Sequence, residues 1–571
     1  MPHTFVPTKK QKTMKKIYTI AASLLLGIAT VQSQTIINIV DADLAAGQTY
    51  NWTKNNVYVL DGVVYLEDGG LLNIEAGTVI KFTPRADVGN PSALVICRGA
   101  KINANGNAQE PIIFTAEIDD ETDPIDLGPT DNALWGGIVL LGKAYTIKNG
   151  NTEANIEGIP TTEPRGIYGM PAGTNIDNDN SGVLRYVSIR HGGRQIATGS
   201  ELNGLSLGAV GNGTTLEYID IYANSDDGIE FFGGTVNLKY ASVAFTEDDC
   251  YDWDESWSGK GQFWFSIQRE DIADCGWECD GSTPDDLTPA SNPTVFNGTH
   301  IGSGPAAAAS NPVGWLLRAG TKGYVANCIV TEMKGKGLEV QDKPSNTSDA
   351  YAQLLAGSLI IKNNLFYNIG STTAIDGTSN GIIRITASAD DATAAALISH
   401  LTTNQNQISN PAIYGISRNQ DGLLDPRPSG TGAAYATSLD TYPAGDPFFT
   451  TVNYKGAFST SSTELWLSGW SSLAKNGHLV NVTGINEYNN VLNTLVLYPN
   501  PAQGNVNLAY ESTKNVLIQI INTQGQVVKT LNNKPSTGTP QTINVADLSK
   551  GLYFISFSDG AQQFSKKLII E

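Results

Sequence analysis

The chain has 571 residues, with 36 Lys and Arg against 56 Asp and Glu, and a formal net charge of −20. That balance argues against nucleic acid and anionic membrane surfaces as partners, because both are gripped by basic patches. The length suits one large domain and one small one.

At the N-terminus, a segment starting at Met14 carries Lys15 and Lys16, a largely apolar run from Ile17 to Val31, and small-residue cleavage positions at Val31 and Ser33 before Gln34. This is the pattern of a secretory signal peptide ending at residue 33, with residues 1–13 as an upstream extension. No other apolar run approaches membrane-spanning length, so no transmembrane anchor is expected.

From residue 34 to about 485 the chain lacks 3.6-residue periodicity and shows short β-rich runs punctuated by Gly, Asn and Asp. The run "VYVLDGVVYLEDGGLLNIEAGTVIKF" (57–82) reads as three short strands, and "ALVICRGAKINANGNAQEPIIFTA" (93–116) continues the style. A repeat follows, with "YVSI" at Tyr186, "YIDI" at Tyr218, "YASV" at Tyr240 and "WFSI" at Trp264, offset by 32, 22 and 24 residues. A period in the low twenties with irregular insertions fits one turn of a parallel β-helix, in which each strand pairs with its copy one turn later. The pattern resembles right-handed, pectin-lyase-like β-helices. Six aromatics between 446 and 473 are expected to cap the open end of the coil.

Residues 245–257, "FTEDDCYDWDESW", hold six carboxylates and no Lys or Arg. Under the 22-residue register Asp226 falls over Asp248, Asp227 over Asp249, and Glu230 over Asp252. Stacked at the strand spacing of ~4.8 Å, two carboxylates repel by about 3.5 kcal/mol at an effective dielectric near 20. Compensation must come from a cation, retained protons or backbone N–H groups. Oxygen donors without His favour Ca²⁺. Two readings stand beside a catalytic one: a solvated ladder of loop carboxylates bonding neighbouring backbone, or a cation site whose ligands would be Asp226, Asp227, Asp248, Asp249, Asp252 and Asp254, with Trp253 and Trp257 serving the core or walling the site. "DNDNSG" (177–182) opens like an EF-hand loop, but its twelfth position is Ser188, where that loop needs Glu, so it reads as a turn.

"NSDD…EDD" also resembles the first two motifs of polygalacturonase-type hydrolases, which implies catalytic roles for Asp226, Asp248 and Asp249. The Gly-His-Gly and Arg-Ile-Lys motifs that should follow are missing. A Ca²⁺-dependent lyase is the other enzymatic alternative, needing an Arg or Lys base. Lys260 and Arg269, the nearest in sequence, read as surface charges. Five Cys are present, and a local bridge between Cys275 and Cys279 is plausible in an exported chain. The favoured functional expectation is a non-catalytic surface protein that binds glycans or partners.

After a polar linker (486–494), alternating apolar residues between Gly, Asn and Asp turns read as a small Ig-like sandwich over 495–571. Pro499-Asn500-Pro501, Gly551-Leu552-Tyr553 and Lys567-Leu568-Ile569-Ile570 resemble the C-terminal sorting domain of the type IX secretion system. The resemblance implies a Bacteroidetes-type source, export by that machinery, and attachment of the remainder to surface lipopolysaccharide. The fold class expected is therefore all-β: a right-handed parallel β-helix followed by a sandwich.

Overall fold

The computed structural model describes residues 34–85, 89–195, 201–309, 313–343, 348–370, 375, 383–386, 391–461, 465–480, 496–509, 511–512, 516–522, 526–533, 536–537, 541–558 and 563–571. The signal-peptide segment and the linker lie outside the described residues. Among the described residues no helix is long and apolar enough to cross a membrane. The chain divides into two compact units, 1–481 and 482–571.

The first unit is a coil of three parallel ladders. One begins at Thr49–Trp52 and runs through Leu71–Ile74 and Lys101–Asn105 to Leu359–Lys362. The second begins at Thr35–Ile39 and ends at Gln407–Ile408. The third runs from Val63–Leu66 to Ile383–Thr386. Every pairing within these ladders joins residues of successive turns, so sequence insertions swell loops without breaking the stack.

Four long strands, Gly182–Arg190, Thr215–Tyr222, Asn237–Ala244 and Lys260–Ile267, bend to serve both the first and second ladders. Each bends at a residue of positive φ: Tyr186 (48°), Tyr218 (56°), Tyr240 (58°) and Phe263 (60°), a column that Asn297, Asn327 and Asn363 continue. Left-handed backbone costs a non-glycine residue about 1–2 kcal/mol, and Asn tolerates it best. The aromatic members recover part of that cost by stacking on one another at 4.2, 4.5 and 4.8 Å.

The fourth member of the repeat is therefore Phe263. Ala241 pairs with Trp264, which puts Trp264 one position past the corner, in the core. The sequence alignment had matched aromatic to aromatic and slipped by one residue, which in a strand exchanges inside for outside.

The aromatic segment near 446–473 does not cap the coil. Residues 411–461 and 465–480 run back along the corner column as a strap. Asp440 N–H donates to Asn327, Thr450 N–H to Gln262, and Ser472 N–H to Asp220. Trp470 packs edge-on against Tyr186 and Trp466 against Tyr240. At the coil's last turns, the helix Asp391–Thr403 instead buries Leu397 and Leu401 in the main core. The aromatic corner column, Tyr186 to Phe263, gives the strap's Trp466 and Trp470 rings to pack against.

None of the five cysteines is bridged. Cys279 faces inward from the strand Trp277–Asp280 and joins the core, whereas Cys275 lies in the turn before it among outward-facing carboxylates. Cys275 precedes the strand, so its thiol stays outside the alternation that turns Cys279 into the core.

The second unit is a sandwich. Val496–Gln503, Asn505–Ala509 and Gln541–Asn544 pair antiparallel, as do Val516–Asn522, Val527–Asn533, Gly551–Ser558 and Gln563–Ile570, and Val496–Gln503 bridges the two groups by a parallel pairing of Ala502 with Ile570. The three motif segments meet here. Asn500 Nδ2 donates to Lys567 O and its Oδ1 accepts from Ile569 N–H, while Gly551 and Tyr553 pair with Ile570 and Leu568.

Candidate functional site

The third ladder explains the acidic stretch. In Tyr251–Asp254 the sequence Tyr-Asp-Trp-Asp alternates, so Tyr251 and Trp253 enter the core while Asp252 and Asp254 face out. Trp253 and Trp257 are both buried. Trp253 Nε1–H donates to Thr321 Oγ1 and Trp257 Nε1–H to Val236 O, so neither offers a ring face to a sugar.

Outside, three successive turns superpose into a grid. Glu230 pairs with Asp252 and Asp252 with Glu278. In the preceding turns the same register stacks Asp227, Asp249 and Cys275. Asp227 Oδ1 accepts from Asp249 N–H (3.1 Å), and Asp249 Oδ1 accepts from Cys275 N–H (2.5 Å). Beside them run Asp226, Asp248 and Asp274. Four groups have donor atoms mutually within 4.8 Å: Asp226/Asp227/Asp248, Asp227/Glu230/Asp252, Asp248/Asp249/Asp274 and Asp249/Cys275/Glu278.

Five of the six expected ligands fall in these groups. Asp254 does not. It stands in the next outward column, between Phe232 and Asp280.

Burial dominates the electrostatics. It pushes the carboxyls of Asp227, Glu230, Asp249 and Asp252 well above the ordinary range, and neighbouring carboxylates add to the effect. Burial, reinforced by Asp248, raises Asp226 to about 8. Glu278 also rises to about 8, through burial and Asp280, against the pull of Arg318. Asp254 rises to about 7 through burial, Asp280 and Glu255.

Some oxygens are satisfied; Asn203 Nδ2, for example, donates to Glu230. Asp252 Oδ1 is buried without a hydrogen-bond partner. A carboxylate oxygen in that state is expensive unless it is protonated or faces a cation.

The sequence reading missed Asp274, Cys275, Glu278 and Asp280. Their turn is 26 residues after the last, where the previous step was 22, and the longer loop hid the register. It also missed Arg318, which pairs with Glu278 (2.7 Å) and Asp280 (2.7 Å) and closes the grid at its far end. Arg269 is buried between Glu247 (2.7 Å) and Asp271 (2.5 Å), a fixed structural ion pair and not a surface charge. Lys260 is held by Asp446 (2.5 Å). "DNDNSG" is a turn, as expected: Asp177 and Asp179 accept from Tyr145 and Lys143 N–H.

A family model described as a pectate-lyase-like β-helix domain matches residues 45–408. The chain belongs to that pectate-lyase-like β-helix family. Residues 496–571 match the secretion system C-terminal sorting domain, so this β-helix is a cargo of the type IX machinery, secreted to the cell surface. No curated protein matches the chain.

Proposed function

We propose that this is a surface-displayed β-helix whose acidic grid holds a divalent cation, Ca²⁺ in the first instance, and that it binds glycans or partners without catalysis. The carrying observation is Asp252 Oδ1, buried and unpartnered beside Asp227 and Glu230, with donor oxygens within 4.8 Å. Two oxygens that share one Ca²⁺ at about 2.4 Å each can stand no more than ~4.8 Å apart, so the separations suit a single ion. The nearby bases support a non-catalytic role. Arg318, Arg269 and Lys260 are each engaged by carboxylates, which leaves none of the three poised to abstract a sugar proton. Attachment of the body to surface lipopolysaccharide, after removal of residues 496–571, belongs to the same proposal.

The test is thermal unfolding of the full chain in Ca²⁺ and in chelator. Ca²⁺ raises Tm by mass action, and Asp248→Asn or Asp252→Asn shrinks the difference. Superimposable melting curves in the two conditions would reject the cation. A polysaccharide panel read for binding, reducing ends and unsaturated products separates a binder from an enzyme. Turnover abolished by Asp226→Asn, with the fold intact, would establish the hydrolytic alternative in its place.

A further inference from the structure

The acidic grid occupies only part of its face. In the strand Val63–Leu66, Val64 and Leu66 enter the core while Val63 and Tyr65 face out. Tyr65 stands in the same outward column as Asp252, traced turn by turn through Val95, Val139, Ser206 and Glu230. That separates the two by five strand spacings, roughly 24 Å. Between them Val95 and Val139 are covered by Ile156, Ile159 and Tyr168, from the segment that carries the antiparallel pair Glu153–Asn155 and Ile167–Gly169. At the Tyr65 end the face opens into a cleft of about 380 Å³, bordered by Tyr65 and Arg165.

Among the described residues the buried Tyr58, Tyr168, Tyr222, Tyr251 and Tyr553 all have hydrogen-bond partners for their hydroxyls. Tyr65 is the exception. It is only 5% exposed, its ring lies under the Arg165 guanidinium (3.9 Å), and its hydroxyl bonds to no described residue. A buried phenol ordinarily finds a partner. Here the cleft it borders is the place for one.

We propose that this cleft binds an uncharged glycan, with the Tyr65 hydroxyl as its buried hydrogen-bond anchor. The proposal rests on the glycan-binding reading above and gives that reading a location apart from the cation grid.

Charge selects the ligand class. Arg165 is the one cation among the lining residues, and Asp41 (2.9 Å) and Glu163 (2.8 Å) both hold it, with Glu67 at 3.3 Å. No lining cation is left to grip a uronate, sulfate or phosphate, and the surplus of carboxylates repels such groups. A cationic ligand would have to take those carboxylates from Arg165. The backbone pins them as well: Asp41 Oδ1 accepts from Tyr65 N–H (3.0 Å) and Glu163 Oε1 from Arg165 N–H (3.0 Å). Acceptors fixed in this way are pre-organised for hydroxyl donors. Thr162 and Asn90 add a hydroxyl and an amide on the exposed rim, and Pro91 and Pro160 add apolar surface for the C–H faces of a sugar ring. The volume lies near the lower end of the ~300–1,000 Å³ range of small-ligand pockets, which suits a short stretch of a glycan chain.

The test is calorimetric titration of the full chain in chelator with neutral gluco-, manno-, galacto- and xylo-oligosaccharides, and with oligogalacturonate as the charged control. At least one neutral oligomer should bind, and oligogalacturonate should bind about tenfold more weakly or not at all. Tyr65→Phe keeps the ring under Arg165. It should weaken the neutral ligand by about tenfold or more and leave Tm unchanged, because the hydroxyl bonds nothing in the fold. Thr162→Ala, on the rim, should weaken binding less. Failure of every neutral oligomer, with and without Ca²⁺, overturns both this site and the glycan-binding reading. Neutral binding that needs Ca²⁺, or that Tyr65→Phe leaves undiminished, overturns the cleft alone. Preference for oligogalacturonate overturns the uncharged ligand class. A fall in Tm with Tyr65→Phe overturns the hydroxyl's role as an anchor held for ligand.

Discussion

Raising the pH in the absence of divalent cations should destabilise this protein. Asp254 titrates at about 7, and Asp226 and Glu278 at about 8, in the folded chain. In the unfolded chain all three are ionised above pH 5. The native state therefore binds more protons, and stability is fully present at low pH and lost as pH rises through the folded values. Buried histidines act oppositely. His300 and His478 fall to about 3 and 4 through burial, so stability gained from keeping them neutral rises with pH up to about 6.5 and is flat beyond. Lys455, lowered by burial to about 8, acts only above that value.

The clean window is thus pH 6.5 to 7.5. Each retained proton tilts stability by about 1.4 kcal/mol per pH unit. Asp226 and Glu278, largely protonated across the window, and Asp254, titrating within it, give a loss of roughly 3 kcal/mol, a lower bound because burial also raises Asp227, Glu230, Asp249 and Asp252. Urea denaturation followed by tryptophan fluorescence at pH 6.5, 7.0 and 7.5 in chelator measures it, and saturating Ca²⁺ should flatten the slope. Stability that is constant or rising with pH in chelator would refute the electrostatic account of the grid. An equal slope with Ca²⁺ would remove the cation from it.

Trp264→Ala empties the centre of the aromatic core formed with Tyr251, Trp257 and Trp277 and should cost about 3–5 kcal/mol in the same denaturation assay. Asp220 is buried and accepts from Ser472 N–H and from the Ser188 and Ser472 hydroxyls. Asp220→Asn should therefore loosen the strap, at about 1–3 kcal/mol, and limited proteolysis should cut within 465–480 sooner while the coil stays intact. Thiol titration in denaturant without reductant should count five free cysteines; a count of three would restore a bridge. Deleting 496–571 should abolish surface display, measured by protease shaving of whole cells, with the protein retained inside the outer membrane.

Much of the grid was legible beforehand because a parallel coil turns sequence offset into spatial stacking. Equal spacing of 22 residues placed Asp248 over Asp226 and Asp252 over Glu230 with no coordinates. The next turn was not legible. Four extra loop residues shifted Asp274, Cys275 and Glu278 out of that period, and hydrogen bonding between strands, which tolerates any loop length, restored them to the stack. The slip from Phe263 to Trp264 has the same origin. Composition marks both as aromatic, and only inter-strand pairing decides which one turns the corner.

The sequence by itself determined the address and the fold class. The sorting motifs are local strands and turns, and the β-helix repeat is a local pattern copied along the chain, so both survive without knowledge of long-range contacts. Tertiary structure alone decided three things: that Arg318, 38 residues beyond Asp280, closes the acidic grid; that residues 411–461 and 465–480 double back to cover the tyrosine column in place of capping the coil; and that Cys275 sits in an outward turn while Cys279 enters the core. Each depends on which turn of the coil meets which, or on which face of a strand points outward. Those are fixed by the free energy of the whole stack, to which any single stretch contributes only a part.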